Sequence, residues 1–264
     1  GLQNMAVGSK ALSQNTTGSY NIAMGYHSLK HNNSGSYNVG LGDSTLQAVT
    51  FANYNTAVGS HALKNFDGSL GNNVAVGGRA LIELIEGFDN VAVGTGSQGS
   101  LTLGNSNASL GVGTLEKAVN AYDNVAIGHY ALSSDTLSLE NIAIGPYAMQ
   151  FGMRNSNSIA IGPYAMRSGT RPYNNIAIGY QAGVDQGDSV THTIAIGDWA
   201  LARNRSGVTA ADTSAGIKNT AVGSRALFAN TLGSSNTGLG YHALKSNIGG
   251  TGSQGSFNTA VGVG

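Results

Sequence analysis

The sequence predicts an all-β chain coiled as a parallel β-solenoid of about fifteen 17-residue rungs. Three observations carry that prediction. A five-residue pattern, Asn-x-small-apolar-Gly, opens at Asn4 and recurs fifteen times to Asn258, mostly seventeen residues apart. A fixed period near twenty residues is the signature of a stacked repeat. The second pattern residue is mostly Val, Ile or Thr, which favour strands. The fifth is Gly in every copy, which reads as the turn that ends each strand.

Each rung can be taken in order. The five pattern residues make a short strand and its corner, as in Asn141-Ile142-Ala143-Ile144-Gly145. Alternate residues of a strand face opposite sides, so positions two and four share an apolar face. Positions one, three and five share a face of Asn, small residues and Gly. A face held small in every copy is expected to pack closely on another surface. The simplest such surface is the same strand of a partner chain, which marks Ala143, Ala160, Ala177, Gly145 and Gly162 as oligomer-packing residues. The alternative is a thin solenoid whose small column faces its own opposite wall. The ninth position, as in Leu12, Leu29, Leu132 and Met149, forms a second apolar column. The tail of each rung is polar and turn-rich, as in Asn15-Thr16-Thr17-Gly18-Ser19. The Asn column has two readings. Stacked amides can ladder and bind the turn backbone, having both donors and acceptors, or they can form an exposed row that touches ligand. The first is favoured because these residues sit where the strand begins.

The repeat spans residues 1–264 as a single domain, and beginning and ending within the repeat pattern it reads as a fragment of a longer chain. Charged residues are 10% and formal net charge is zero, so no basic surface marks nucleic acid as a partner. There is no cysteine, hence no disulfide and no Cys-based metal site. The solenoid core makes disulfide staples unnecessary, so an extracellular location stays open. His27 and His61 stand two rungs apart, too far for one metal ion. Phosphate-cradling and metalloprotease motifs are absent. The Glu83 and Glu86 pair lacks a supporting constellation, and a helical turn is expected around it. No enzymatic activity, cofactor or catalytic residue is expected.

The repeats Asn-Val-Ala-Val-Gly (73–77, 90–94), Asn-Val-Ala-Ile-Gly (124–128) and Asn-Ile-Ala-Ile-Gly (141–145, 175–179) resemble the head repeats of YadA-like trimeric autotransporter adhesins. The resemblance covers essentially the whole chain, although the head repeat of that family is shorter, about fourteen residues. It implies a left-handed β-roll, three chains about an axis, and display on the bacterial surface for attachment. Similar repeats occur in bacteriophage tail fibres. The implied function is a non-enzymatic adhesive fibre that meets a host surface protein or glycan by multivalent contacts. Any membrane contact would run through segments outside this stretch. The alternative is the structural shaft of a phage tail fibre carrying a receptor-binding tip elsewhere. A free-standing ice-binding solenoid would need a uniform Thr column, which is lacking.

Two places are candidates for ligand. Insertions near 203–218 and 245–257 break the period and read as loops on one face. The seventh position, just after the Gly corner, varies freely and is expected to be exposed. It carries Tyr130, Tyr147 and Tyr164 on successive rungs, Trp199 two rungs further, and Arg79 earlier. Their rings either offer faces to a sugar or flat peptide, or pack on one another over a turn.

Overall fold

The computed structural model describes residues 1–169, 172–186, 190–204, 215–248 and 255–264. Among these every regular element is a three-residue strand and none is a helix, so Glu83 and Glu86 lie in turn and bridge structure and not in a helical turn. The chain is a parallel β-solenoid with a spacing of about 17 residues. It divides into two compact units, Gly1–Ala126 and Ile127–Gly264.

In the first unit the strands Met5–Val7, Ile22–Met24, Val39–Leu41, Thr56–Val58, Val74–Val76, Val91–Val93 and Ala108–Leu110 pair in sequence order, all parallel. In the second, Ile142–Ile144, Ile159–Ile161, Ile176–Ile178, Ile194–Ile196, Thr220–Val222, Thr237–Leu239 and Thr259–Val261 do the same. Equivalent pattern positions are partners throughout. The long interval does not disturb this register, since Ile194 still pairs with Thr220 and Ala195 with Ala221. The additional residues of the 203–218 and 245–257 insertions fall largely outside the described residues.

The alternation of the strand is as expected, but the two faces are exchanged. Ala143, Ala160 and Ala177 have no accessible surface within the single chain. They lie inside the roll with the ninth-position wall, where Leu29, Leu63, Leu132 and Met149 are equally inaccessible. Positions two and four point outward. Met24 is 43% exposed, Leu110 52% and Leu239 45%. The small column therefore faces the chain's own interior, and a side chain without accessible surface cannot be the one that meets a partner. The physical reason is width: strand and opposite wall are close enough that only Ala, Gly or Ser fits between them.

Substitutions in this column show how tight the fit is. Where Gly40 replaces Ala, the facing residues are Ser28 and Thr45 instead of Ala; a Cβ on Gly40 would stand 2.5 Å from Ser28 Oγ and 2.9 Å from Thr45 Oγ1. Where Gln98 replaces the wall leucine, Ser109 replaces Ala and accepts a hydrogen bond from Gln98 Nε2 at 2.8 Å. The buried amide nitrogen is satisfied because that polar partner comes with it.

Backbone conformation explains the Gly column. Gly77 has φ +134°, and its added Cβ would lie 2.6 Å from both the carbonyl carbon and oxygen of Gly94. Gly145 and Gly162, expected to meet a partner chain, are instead where successive turns of one chain touch; a Cβ on Gly145 would come within 2.6 Å of Gly162. Each turn has further left-handed corners at non-glycine residues, for example Tyr20 (φ 61°), His27 (57°) and Leu29 (51°). Leu adopts this region rarely. Burial of its side chain and the backbone bond from Leu29 N–H to Thr45 O at 2.9 Å hold it there.

The Asn column is a ladder. Asn38 Nδ2 donates to Ala52 O at 2.8 Å, and its Oδ1 accepts from the Asn55 backbone N–H at 3.0 Å. These buried amides saturate backbone groups that the turn leaves unpaired. A second Asn column does similar work at the tail: Asn32 Nδ2 donates to Gly35 O at 2.9 Å and Asn230 Nδ2 to Gly233 O at 2.7 Å. Asp135 occupies that column and is buried. In some rungs the tail is strand and not turn: Leu103–Asn105 pairs in parallel with Asn120–Tyr122.

Candidate functional site

Two exposed features emerge from this scaffold. The first is the outward face of the strands. Because positions two and four of adjacent turns are in strict register, their side chains form two columns, that of position four apolar in every strand and that of position two interrupted by Thr56 in the first unit and by Thr220, Thr237 and Thr259 in the second. In the second unit the outer pairs of three consecutive strands are Ile142 with Ile144, Ile159 with Ile161, and Ile176 with Ile178. In the first unit a tyrosine column borders this face. Tyr20, Tyr37 and Tyr54 immediately precede the pattern Asn, are exposed, and stack at 4.8 and 4.9 Å with rings within 8° of parallel. The sequence carries the signal, three tyrosines seventeen residues apart, but its column lies in the tail and not at the corner.

The second feature is an aromatic run at the corner of the second unit. Tyr130, Tyr147 and Tyr164 are half-buried. Tyr147 and Tyr164 lie 5.2 Å apart at 9°, and Tyr130 and Tyr147 lie 6.1 Å apart at 18°. The Arg167 guanidinium sits 5.3 Å from the Tyr164 ring centre and 5.0 Å from that of Phe151. These three rings are turned to each other. Of the two sequence readings, the geometry is that of aromatics packing on themselves.

The stacking breaks at the far end. Tyr180 meets Tyr164 edge-on and Trp199 at 75°, and Trp199 meets Phe228 at 6.0 Å and 58°. Trp199 is half-buried and lines an open cleft of about 330 Å³ with Arg203, Arg225, Phe228 and Lys245. Three turns build it. Trp199 and Arg225 occupy the same corner position on adjacent turns, and Arg225 N–H donates to Asp198 O at 2.9 Å. Phe228 and Lys245 occupy the tenth position of the next two turns. Arg203 N–H donates to Phe228 O at 3.0 Å, while its guanidinium stands 5.3 Å from the Phe228 ring centre. Desolvation first, then the charges of Lys245 and Arg225, hold the neighbouring His242 imidazole below its ordinary pKa.

Of the sequence candidates, Trp199 joins this cleft, together with Arg203 and Lys245 from the first positions of the 203–218 and 245–257 insertions. Tyr130, Tyr147 and Tyr164 belong to the stacked run, and Arg79 stands exposed in the other unit. Phe228 lies outside both candidate places, and the five residues, drawn from different columns, converge only when turns of 26 and 17 residues are stacked. Among the described residues no group of three His, Asp or Glu side chains is placed to hold a metal ion, and no helix is long and apolar enough to cross a membrane. Comparison with family models, curated proteins and solved structures finds no match to this chain.

Proposed function

We propose that the chain is a segment of a non-enzymatic, surface-displayed adhesive fibre that self-associates as a homotrimer and attaches to a host cell or matrix by repeated contacts. The observation that supports it is the outward apolar face. Within each unit a position-four column of Ile, Val, Leu and Met in register, beside a position-two column of mostly Val, Ile and Thr, forms a half-exposed to exposed apolar stripe, and monomeric proteins rarely leave such a stripe open. The partner of matching periodicity is a second copy of the same chain, aligned in parallel so that equivalent rungs meet. Three copies would cover the stripe about a common axis and leave the corner columns outward, in threefold multiplicity. The place of action in this reading is the bacterial cell surface.

Light scattering over a dilution series tests the assembly. A mass three times the 26.7 kDa chain is expected, and a monomer at all concentrations would overturn the trimer. Binding of the assembled fragment to host cells or extracellular matrix tests the attachment.

One observation favours a second reading, the shaft of a phage tail fibre displayed on the virion. Most corner aromatics are spent on one another, as in a strut with its receptor-binding tip elsewhere. A trimer with no affinity for any host surface would favour that reading.

A further inference from the structure

The cleft lined by Trp199, Arg203, Arg225, Phe228 and Lys245 combines three cationic side chains with two aromatic rings. Three cationic side chains converge on it. Among the described residues no carboxylate lies within ion-pair distance of any of them; the sole pair of that kind is His61 with Asp43, far along the sequence. The nearest acid in sequence, Asp198, has its Oδ1 engaged by the Tyr180 backbone N–H at 3.2 Å. Three like charges sharing one concavity repel each other, and an anion in that space relieves the repulsion. Beside them the Trp199 indole, half-buried and free of parallel stacking, and the Phe228 ring supply flat apolar surface.

Cations with aromatic faces are suited to a ring that is apolar on one side and acidic at its rim. We infer that this cleft binds an acidic saccharide, its carboxylate or sulfate held by Arg203, Arg225 and Lys245 and its C–H face laid on Trp199. A volume of about 330 Å³ suits a short saccharide at the small end of ligand clefts. A nucleic acid fits less well. A strand-tracking surface needs a basic stripe, whereas this chain has zero net charge and thirteen cations in all. The inference deepens the attachment reading by naming what one contact takes.

Trp199 is the only tryptophan in the chain, so its fluorescence reports this cleft without background. The experiment titrates the 264-residue chain with a heparin tetrasaccharide (sulfated), trigalacturonate (carboxylated), maltotriose (neutral) and a thymidine tetranucleotide. A saturable emission change is expected with one or both acidic saccharides and not with maltotriose, and it should weaken as salt is raised. Which of the two acts identifies sulfate or carboxylate as the group held. The double variant Arg225→Gln/Lys245→Gln should weaken binding about tenfold or more, which corresponds to at least ~1.4 kcal/mol. Both side chains are surface groups, so its unchanged melting curve verifies the fold; the salt titration of the unaltered chain tests the charge argument even without the variant. No emission change with either acidic saccharide, equal response to maltotriose, or tighter binding of the tetranucleotide would each overturn the inference. Cell attachment measured in parallel separates the two readings. Attachment that survives without saccharide binding sinks the cleft alone, and saccharide binding without attachment sinks the adhesive role alone.

Discussion

Gly77 and Gly78 are neighbours, yet alanine should act on them in opposite directions. At Gly77 the φ of +134° lies in a region that side chains rarely enter, at a cost on the order of 1–3 kcal/mol. The new Cβ would also stand 2.6 Å from Gly94 C and O and 3.0 Å from Thr95 N, where carbon contacts prefer about 3.5–4.0 Å. All three obstacles are backbone. Relief requires the next turn to shift by roughly 1 Å against bonds such as Gly94 N–H to Val76 O at 2.7 Å, and overpacking of this kind costs about 1–3 kcal/mol. Together the two effects give ~2–6 kcal/mol for Gly77→Ala. At Gly78 nothing lies within 4 Å of the added Cβ and φ is not left-handed. Restricting the unfolded chain there should leave stability unchanged or raise it by about 0.4–1 kcal/mol. Urea denaturation followed by circular dichroism distinguishes them, with a midpoint loss on the order of 1 M for Gly77→Ala alone. If the two variants unfold together, close approach of successive turns is not what keeps this column glycine.

The exchanged faces can be tested by a pair of variants. Ala160→Leu should destabilise the single chain by about 1–3 kcal/mol through overpacking, whereas Ile159→Ser/Ile161→Ser should leave its fold intact and lower the mass seen by light scattering; the reverse pattern would restore the small column as the partner surface. The fit around Gly40 predicts a coupled pair. Gly40→Ala should cost about 1–3 kcal/mol and Ser28→Ala should recover part of it, giving a coupling of at least ~0.5 kcal/mol by double-mutant cycle; additive effects would show that the two groups do not compete for space. Burial raises the Asp135 carboxyl from 3.8 to about 6, against the opposing backbone N–H bonds from Asn155 and Leu137. Because the folded pKa is the higher one, its stabilising contribution is complete below about 3.8 and is lost as pH rises through about 6. Asp135→Asn should therefore remove ~3 kcal/mol of pH dependence between pH 4 and 7, read as the difference between the two melting profiles; superimposable profiles would refute it.

The sequence by itself determined the architecture, because a repeat writes each structural requirement fifteen times. The period, the strand at each pattern, the Gly corner, the ninth-position wall and the Asn amide ladder were all legible in columns. Their causes are local: dihedral angle, alternation and hydrogen-bond capacity belong to a residue and its equivalents one turn away. Which face of the strand lies inside was not legible. Alternation separates Ala143 from Ile142 and Ile144 but leaves open which face is covered, and the common rule that larger apolar residues go inward points the wrong way. That choice was made by the narrow gap to the opposite wall, a distance no single column contains. The cleft was hidden for a related reason. Trp199, Arg203, Arg225, Phe228 and Lys245 come from three turns and three columns, two of those turns being separated by a 26-residue interval, and only stacking in register at Ile194 and Thr220 brings them together. Properties of one position repeat visibly along a solenoid, whereas properties of the space between unlike positions exist only once the turns are closed on each other.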